Sequence, residues 1–285
     1  MDTSLDTVFL VLLAHALSDF LLQPGSIALA KCQGRFSGYL AHFTILLAVS
    51  ISLTLGRSSL RMVLAILSVA LLHVLTDWGK NLIARGRSAQ VELGLFVLDQ
   101  ALHISAVILV VSFFFPPSVL SRDWTGGFLP GLLSGLVEWL TLVPATTSQK
   151  ALTVYSLRWV QVSRLLVPSA FIYLYAIFGG AVLVRKVLDL DWVALPGTNQ
   201  NSLRERSLKV GRYIGMLERA ILTAFVACGA YHAVGFVIAA KSVARFKDLE
   251  DRGFAEYYLV GTLTSSCIAV VAGFLLRTIW NFGVV

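Results

Sequence analysis

Three pairs of histidine and aspartate, each four residues apart, are the residues of this chain best suited to chemistry: His15/Asp19 in VFLVLLAHALSDFLLQ, His73/Asp77 in LHVLTDWGK and Asp99/His103 in FVLDQALH. A fourth histidine, His42, sits alone in GYLAHFTILLAV. Residues at i and i+4 project from one side of a helix, so each pair presents an imidazole and a carboxylate together. Neutral imidazoles and carboxylates suit Zn²⁺, Fe²⁺ or Mn²⁺. The candidate metal ligands are His15, Asp19, His42, His73, Asp77, Asp99 and His103. These exceed what one tetrahedral ion needs, so either two ions bind or some members orient ligands and take protons; Asp19, Asp77 and Asp99 are the candidate catalytic carboxylates. Any one pair reads equally well as a hydrogen bond between packed helices. The set of four weighs more, because ionisable groups inside apolar spans are costly and default to functional candidates. Gln23 and Gln100 extend the same polar face, either as ligand- or substrate-binding amides or as interfacial ones. Lys80, one turn after Asp77, reads as a cation that snorkels to the membrane surface.

The elements that must position these residues follow from composition. Of 285 residues, 57% are hydrophobic and 14% charged, and the mean hydropathy is +0.79; soluble domains carry about 25% charged residues. The expectation is an all-α polytopic membrane bundle of seven to nine transmembrane helices. Apolar windows of about 20 residues place spans near Val8–Leu22, Ser37–Leu55, Leu60–Trp78, Leu95–Phe115, Leu165–Val184, Tyr213–Ala230, His232–Phe246 and Phe254–Leu276. Phe128–Val143 is apolar but short, with Pro130, Gly131, Gly135 and Glu138, and stays open between a span, a re-entrant segment and an interfacial helix. MDTSLD has no basic stretch before the first apolar segment, so that segment is expected to remain as a span and not to be cleaved as a signal. The gap at Pro116–Gly127 divides the chain into a His/Asp lobe, residues 1–115, and a second lobe, residues 116–285.

Lysine and arginine in short loops set orientation. Lys31 and Arg35 follow the first span and Lys80, Arg85 and Arg87 the third, whereas Asp2 and Asp6 precede the first. The N-terminus is therefore expected outside. At about 1.5 Å per residue, Asp19, His42, Asp77 and Asp99 then lie within roughly 8 Å of the cytoplasmic boundary, and His15, His73 and His103 about one turn deeper. Four antiparallel helices can close around one polar site in the inner leaflet. The net charge of +7 reads as loop and lipid-contact charge; no nucleic-acid-binding pattern is present. Cys32, Cys228 and Cys267 show no C-x-x-C and read as packing residues.

A second cluster joins Glu218 and Arg219 in MLERAIL, Lys241 and Arg245 in AAKSVARF, and Glu256 in FAEYYL. Lys241 and Arg245 are four apart, so they can share a face and clasp an anion with Glu218 and Glu256 holding them. Interhelical salt bridges and membrane anchoring explain the same residues.

AHALSDFLLQP, HVLTDWGK and FVLDQALH, with the lysine and histidine between the first two, resemble the bacterial membrane family catalogued as domain of unknown function 3307. GRYIGMLERAILT, GFVIAAKSVARFKDLED and AEYYLVGTL resemble the C-terminal part of its longer members; together the likeness covers about residues 5–110 and 211–265. It implies a multi-pass protein of the bacterial inner membrane and no particular activity. More distantly, the chain is similar to membrane-bound metal-dependent hydrolases, which place histidines and acids on apolar helices. The functional expectation is a metal-dependent intramembrane hydrolase or transferase acting on a lipidic or anionic substrate, with a divalent transition metal as cofactor and membrane lipid as partner. The alternatives are a transporter or channel that uses the same cluster for a cation or small solute, and a scaffold for another membrane protein. No G-x-S-x-G is present, which disfavours serine catalysis, and the oligomeric state is open.

Overall fold

The computed structural model describes residues 3–55, 59–116, 165–190 and 201–283. All regular elements among them are helical. Helix α1, Thr3–Ala16, runs into a π turn, Leu17–Leu21, and the chain then bends by 90° into the short α2, Gly25–Cys32. The bend falls at Gln23-Pro24: proline disfavours helical geometry in the residue before it, and Pro24 is extended, with φ −67° and ψ 154°, as it caps α2. Gly34, at φ 74°, ends that helix. Helices α3 (Phe36–Thr54), α4 (Leu60–Ala84) and α5 (Ala89–Phe114) follow. After the undescribed stretch come α6 (Leu165–Leu188), interrupted by a π turn at Tyr175–Gly179, then α7 (Asn201–Ala227), α8 (Tyr231–Ala244) and α9 (Arg252–Gly283).

Five of these helices, α3, α4, α5, α6 and α9, are long and apolar enough to cross a membrane, or six if the bent α1–α2 pair counts as one span. The described residues thus hold five to six candidate spans of a multi-pass membrane protein, against an expectation of seven to nine for the whole chain. Two expected spans are not among these helices, one because its helix is long but charged and the other because its helix is apolar but short. The window Tyr213–Ala230 belongs to a longer helix, α7, whose first half carries Arg204, Glu205, Arg206, Lys209 and Arg212. The window His232–Phe246 becomes α8, whose 14 residues reach only about 21 Å, short of a hydrocarbon core of about 30 Å. Phe128–Val143 lies outside the described residues.

The buried stripes show how the helices are set. On α4 they run Met62, Ala65, Ile66, Val69, Ala70, His73 and Asp77, and on α5 Asp99, Gln100, His103, Val107 and Val111. On α3 they include Tyr39, His42, Leu46, Ser50 and Thr54. These spacings of three and four are one helical face. The opposite faces are apolar and open, with Leu71, Leu109 and Phe113 at 56%, 69% and 78% exposure.

The chain forms two compact units, Met1–Ile83 with Leu98–Phe171, and Ala84–Val97 with Ile172–Val285. The core of the first consists of Val8, Val11, Leu12, Val69, Val107 and Val111. In it α2 lies on α3 at Gly38, where a Cβ would come within 2.8 Å of the Lys31 backbone nitrogen. In the second, α7 packs along α9.

Candidate metal centre

His15 comes from the end of α1, Asp19 from the π turn, His42 from α3, His73 and Asp77 from α4, and Asp99 and His103 from α5. All seven belong to the first unit, and the structure brings them together. Six are at most 2% exposed, and the Asp19 side chain is 11% exposed.

At the centre three atoms converge. Asp19 Oδ1 lies 3.1 Å from His42 Nε2 and 3.2 Å from His73 Nε2, and the two nitrogens are 2.8 Å apart. Asp77 Oδ2 completes the group, 3.9 Å and 3.7 Å from the same nitrogens. Metal bonds of about 2.0–2.2 Å in tetrahedral array put ligand atoms roughly 3.3 Å apart, which is the scale of these separations. Hydrogen bonding alone fits the central triangle poorly. Each Nε2 carries at most one hydrogen, so three close edges share at most two; if both point at Asp19, the 2.8 Å edge between the nitrogens holds no hydrogen bond. A cation among the three atoms removes that conflict.

Further nitrogens stand ready. Both ring nitrogens of His15, Nδ1 of His42, Nδ1 of His103 and Asp99 Oδ1 are buried without a hydrogen-bond partner; unpaired buried polar atoms of this kind are rare and costly. His103 Nε2 lies 3.3 Å from the carbonyl of His73. A carbonyl only accepts, so the proton of a neutral His103 sits on Nε2 and the Nδ1 lone pair is left for a ligand. The His103 ring stacks on His73 at 3.9 Å between centroids, and His15 lies 5.1 Å from both. These three imidazoles, with Leu46, Val69, Ala106 and Val107, line a cavity of about 10 Å³, room for one water-sized sphere. Three overlapping groups could hold an ion: His15, Asp19, His73 and His103; His42, His73 and Asp77; and Asp77, Asp99 and His103.

Two lysines complete the cluster, and neither is where sequence pattern put it. Lys31, expected in a loop after the first span, is 6% exposed; its Nζ donates to Asp77 Oδ2 at 2.5 Å and to Gln23 Oε1 at 2.9 Å. The bend before α2 folds it back, and Tyr39 secures the position by donating its hydroxyl to the Lys31 carbonyl at 3.0 Å. The only local trace of this is a short helical run, GSIALAK, directly after a proline. Lys80, expected to snorkel away, donates to Asp77 Oδ1 at 3.0 Å and to Asp99 Oδ2 at 2.9 Å. Gln100 donates to the same Asp99 oxygen at 3.0 Å.

The second group of candidates falls into separate pairs in the second unit. Lys241 meets Glu218 at 2.5 Å, Arg245 meets Asp248 at 3.1 Å, and Glu256 meets Arg252 at 3.0 Å, the last two exposed. Arg219 is buried at 2% exposure and bonds Ser265 Oγ and the Ile177 carbonyl, each at 3.0 Å.

Residues 7–125 match the model of a family described as "Protein of unknown function (DUF3307)". That stretch contains the whole His/Asp cluster and both of its lysines. No curated protein matches the chain, and no solved structure does.

Proposed function

We propose that the cluster holds a divalent transition metal, Zn²⁺, Fe²⁺ or Mn²⁺, and that the protein is a metal-dependent hydrolase or transferase working at the inner-leaflet side of the bacterial inner membrane on a lipidic or anionic substrate. The observation that carries this reading is the buried convergence of His42 Nε2, His73 Nε2 and Asp19 Oδ1 within 3.2 Å. An ion there supplies Lewis acidity, able to bring the pKa of water towards about 7. The side chains divide the remaining work. Asp19 and Asp77 face the two imidazoles as ligands, while Lys31 and Lys80 hold Asp77 in place. Asp99 is fixed through Oδ2 by Lys80 and Gln100 but keeps Oδ1 unpartnered, which suits it to accept a proton.

A second reading, a transporter for a cation or small solute, draws on the 90° break between α1 and α2 beside the cluster, because broken helices line the midplane sites of many transporters. Elemental analysis of protein purified without chelator tests the shared premise. It should find about one or two transition-metal atoms per chain, lost in His73→Ala and in Asp19→Asn. Stable wild-type protein free of metal in every preparation would remove the enzyme reading and the transition-metal form of the transporter reading. Proteoliposomes then separate them: phospholipid turnover without metal uptake supports the enzyme, and metal-ion uptake without turnover supports the transporter.

A further inference from the structure

The Asp77 carboxylate is bracketed by two ammonium groups, Lys31 Nζ on Oδ2 at 2.5 Å and Lys80 Nζ on Oδ1 at 3.0 Å. An ammonium has three donors. Lys31 uses two, on Asp77 and Gln23, and Lys80 uses two, on Asp77 and Asp99, so each keeps one N–H. The Lys80 side chain is 25% exposed while Asp77 and Asp99 are 3% and 1% exposed, so the two carboxylates are reached past a cation. Charge points the same way. Asp19, Asp77 and Asp99 against Lys31 and Lys80 leave one negative charge; a single divalent ion turns this into one positive charge in a buried site, which an anion offsets.

We propose that Lys31 and Lys80 form an oxyanion clamp beside the metal, and that its ligand is the phosphate group of a phosphate ester. This deepens the proposed function and rests on it. Two ammoniums and an ion present three positive points. A tetrahedral phosphate has the oxygens to meet all three, whereas a carboxylate has two. Lysine binds phosphate as a point charge, without the bidentate geometry that arginine imposes, so the clamp accepts either a lipid headgroup or a soluble phosphate ester.

The test uses full-length protein in phosphatidylcholine nanodiscs, with metal content measured on every sample. Calorimetric titration with inorganic phosphate, repeated in nanodiscs that contain phosphatidic acid, reads the clamp. Lys80→Gln should keep its metal and bind phosphate about tenfold more weakly or worse, and Lys80→Arg should recover part of the loss. Undiminished binding of inorganic phosphate in nanodiscs that contain phosphatidic acid points to soluble esters; binding that phosphatidic acid weakens points to a headgroup, and no binding by metal-loaded wild type in either membrane overturns the clamp. Equal affinity in wild type and metal-loaded Lys80→Gln overturns the clamp and leaves the metal reading standing. Where Lys80→Gln does not fold or loses its metal, wild-type Lys80 is labelled with an amine reagent: shielding by phosphate or phosphatidic acid supports the clamp, and unchanged labelling overturns it. Wild type without metal overturns the metal reading and with it the clamp, a failure told apart from that of the clamp alone because it is read from metal content and not from the Lys80 variants.

Discussion

Lys31 and Asp77 meet inside the protein at side-chain exposures of 8% and 3%, where a pair is judged by what its loss leaves behind. Removing the lysine strands a buried carboxylate, and breaking such a pair typically costs about 3–5 kcal/mol. Lys80 still touches Asp77 Oδ1, which places the expected loss for Lys31→Met near the lower end of that range. Adding Asp77→Asn should recover much of it, because the stranded charge is gone. Thermal unfolding of the two single variants and the double variant in detergent gives the coupling; strictly additive losses would mean that the pair does not act as one. The same cycle bears on the metal, since Asp77 Oδ2 faces both Lys31 and the His42/His73 nitrogens.

The helical elements explain why the second cluster disperses. Lys241 and Arg245 would share a face if the helix continued, but α8 ends at Ala244 and Arg245 leaves helical geometry at φ −113° and ψ 13°. Its guanidinium turns to Asp248, three residues on, at 43% exposure. Lys241 stays on the helix and ties α8 to α7 through Glu218 in a half-buried pair, with its Nζ also 5.4 Å from the centre of the Tyr258 ring. Arg245→Gln should therefore change stability by less than about 1 kcal/mol, whereas Lys241→Gln should lower the melting temperature measurably more. A larger loss for Arg245→Gln than for Lys241→Gln would contradict this assignment of partners.

For the whole molecule, orientation decides which leaflet the cluster serves. With the N-terminus outside, the end of α2 after the first bent span faces the cytoplasm, and it carries an exposed native reporter, Cys32. With Cys228 and Cys267 replaced by serine, a membrane-impermeant maleimide should modify Cys32 in inside-out vesicles and spare it in intact cells or spheroplasts. The reverse labelling would put the cluster and its substrate in the outer leaflet. Five to six candidate spans among the described residues are compatible with either orientation, so the experiment and not the count carries the answer.

Periodicity and composition alone determined that the described residues form mostly apolar helices and that His15, His42, His73 and His103, with Asp77 and Asp99, lie on buried helical faces, because a face repeating every three to four residues is a local property. They also singled out Gln23 and Gln100, both of which bond members of the cluster. Only the tertiary structure decided which atoms meet. The Nε2 contact of His42 with His73 spans 31 residues and the Lys31–Asp77 contact spans 46, and no local spacing encodes either. Lys31 looked like loop charge because a lysine after a span usually is; the bend at Pro24 and the Cβ-free surface of Gly38 are what return it to Asp77. The extent of α7 and α8 was likewise a three-dimensional matter, since a hydropathy window registers apolar residues without registering where the helix that holds them begins and ends.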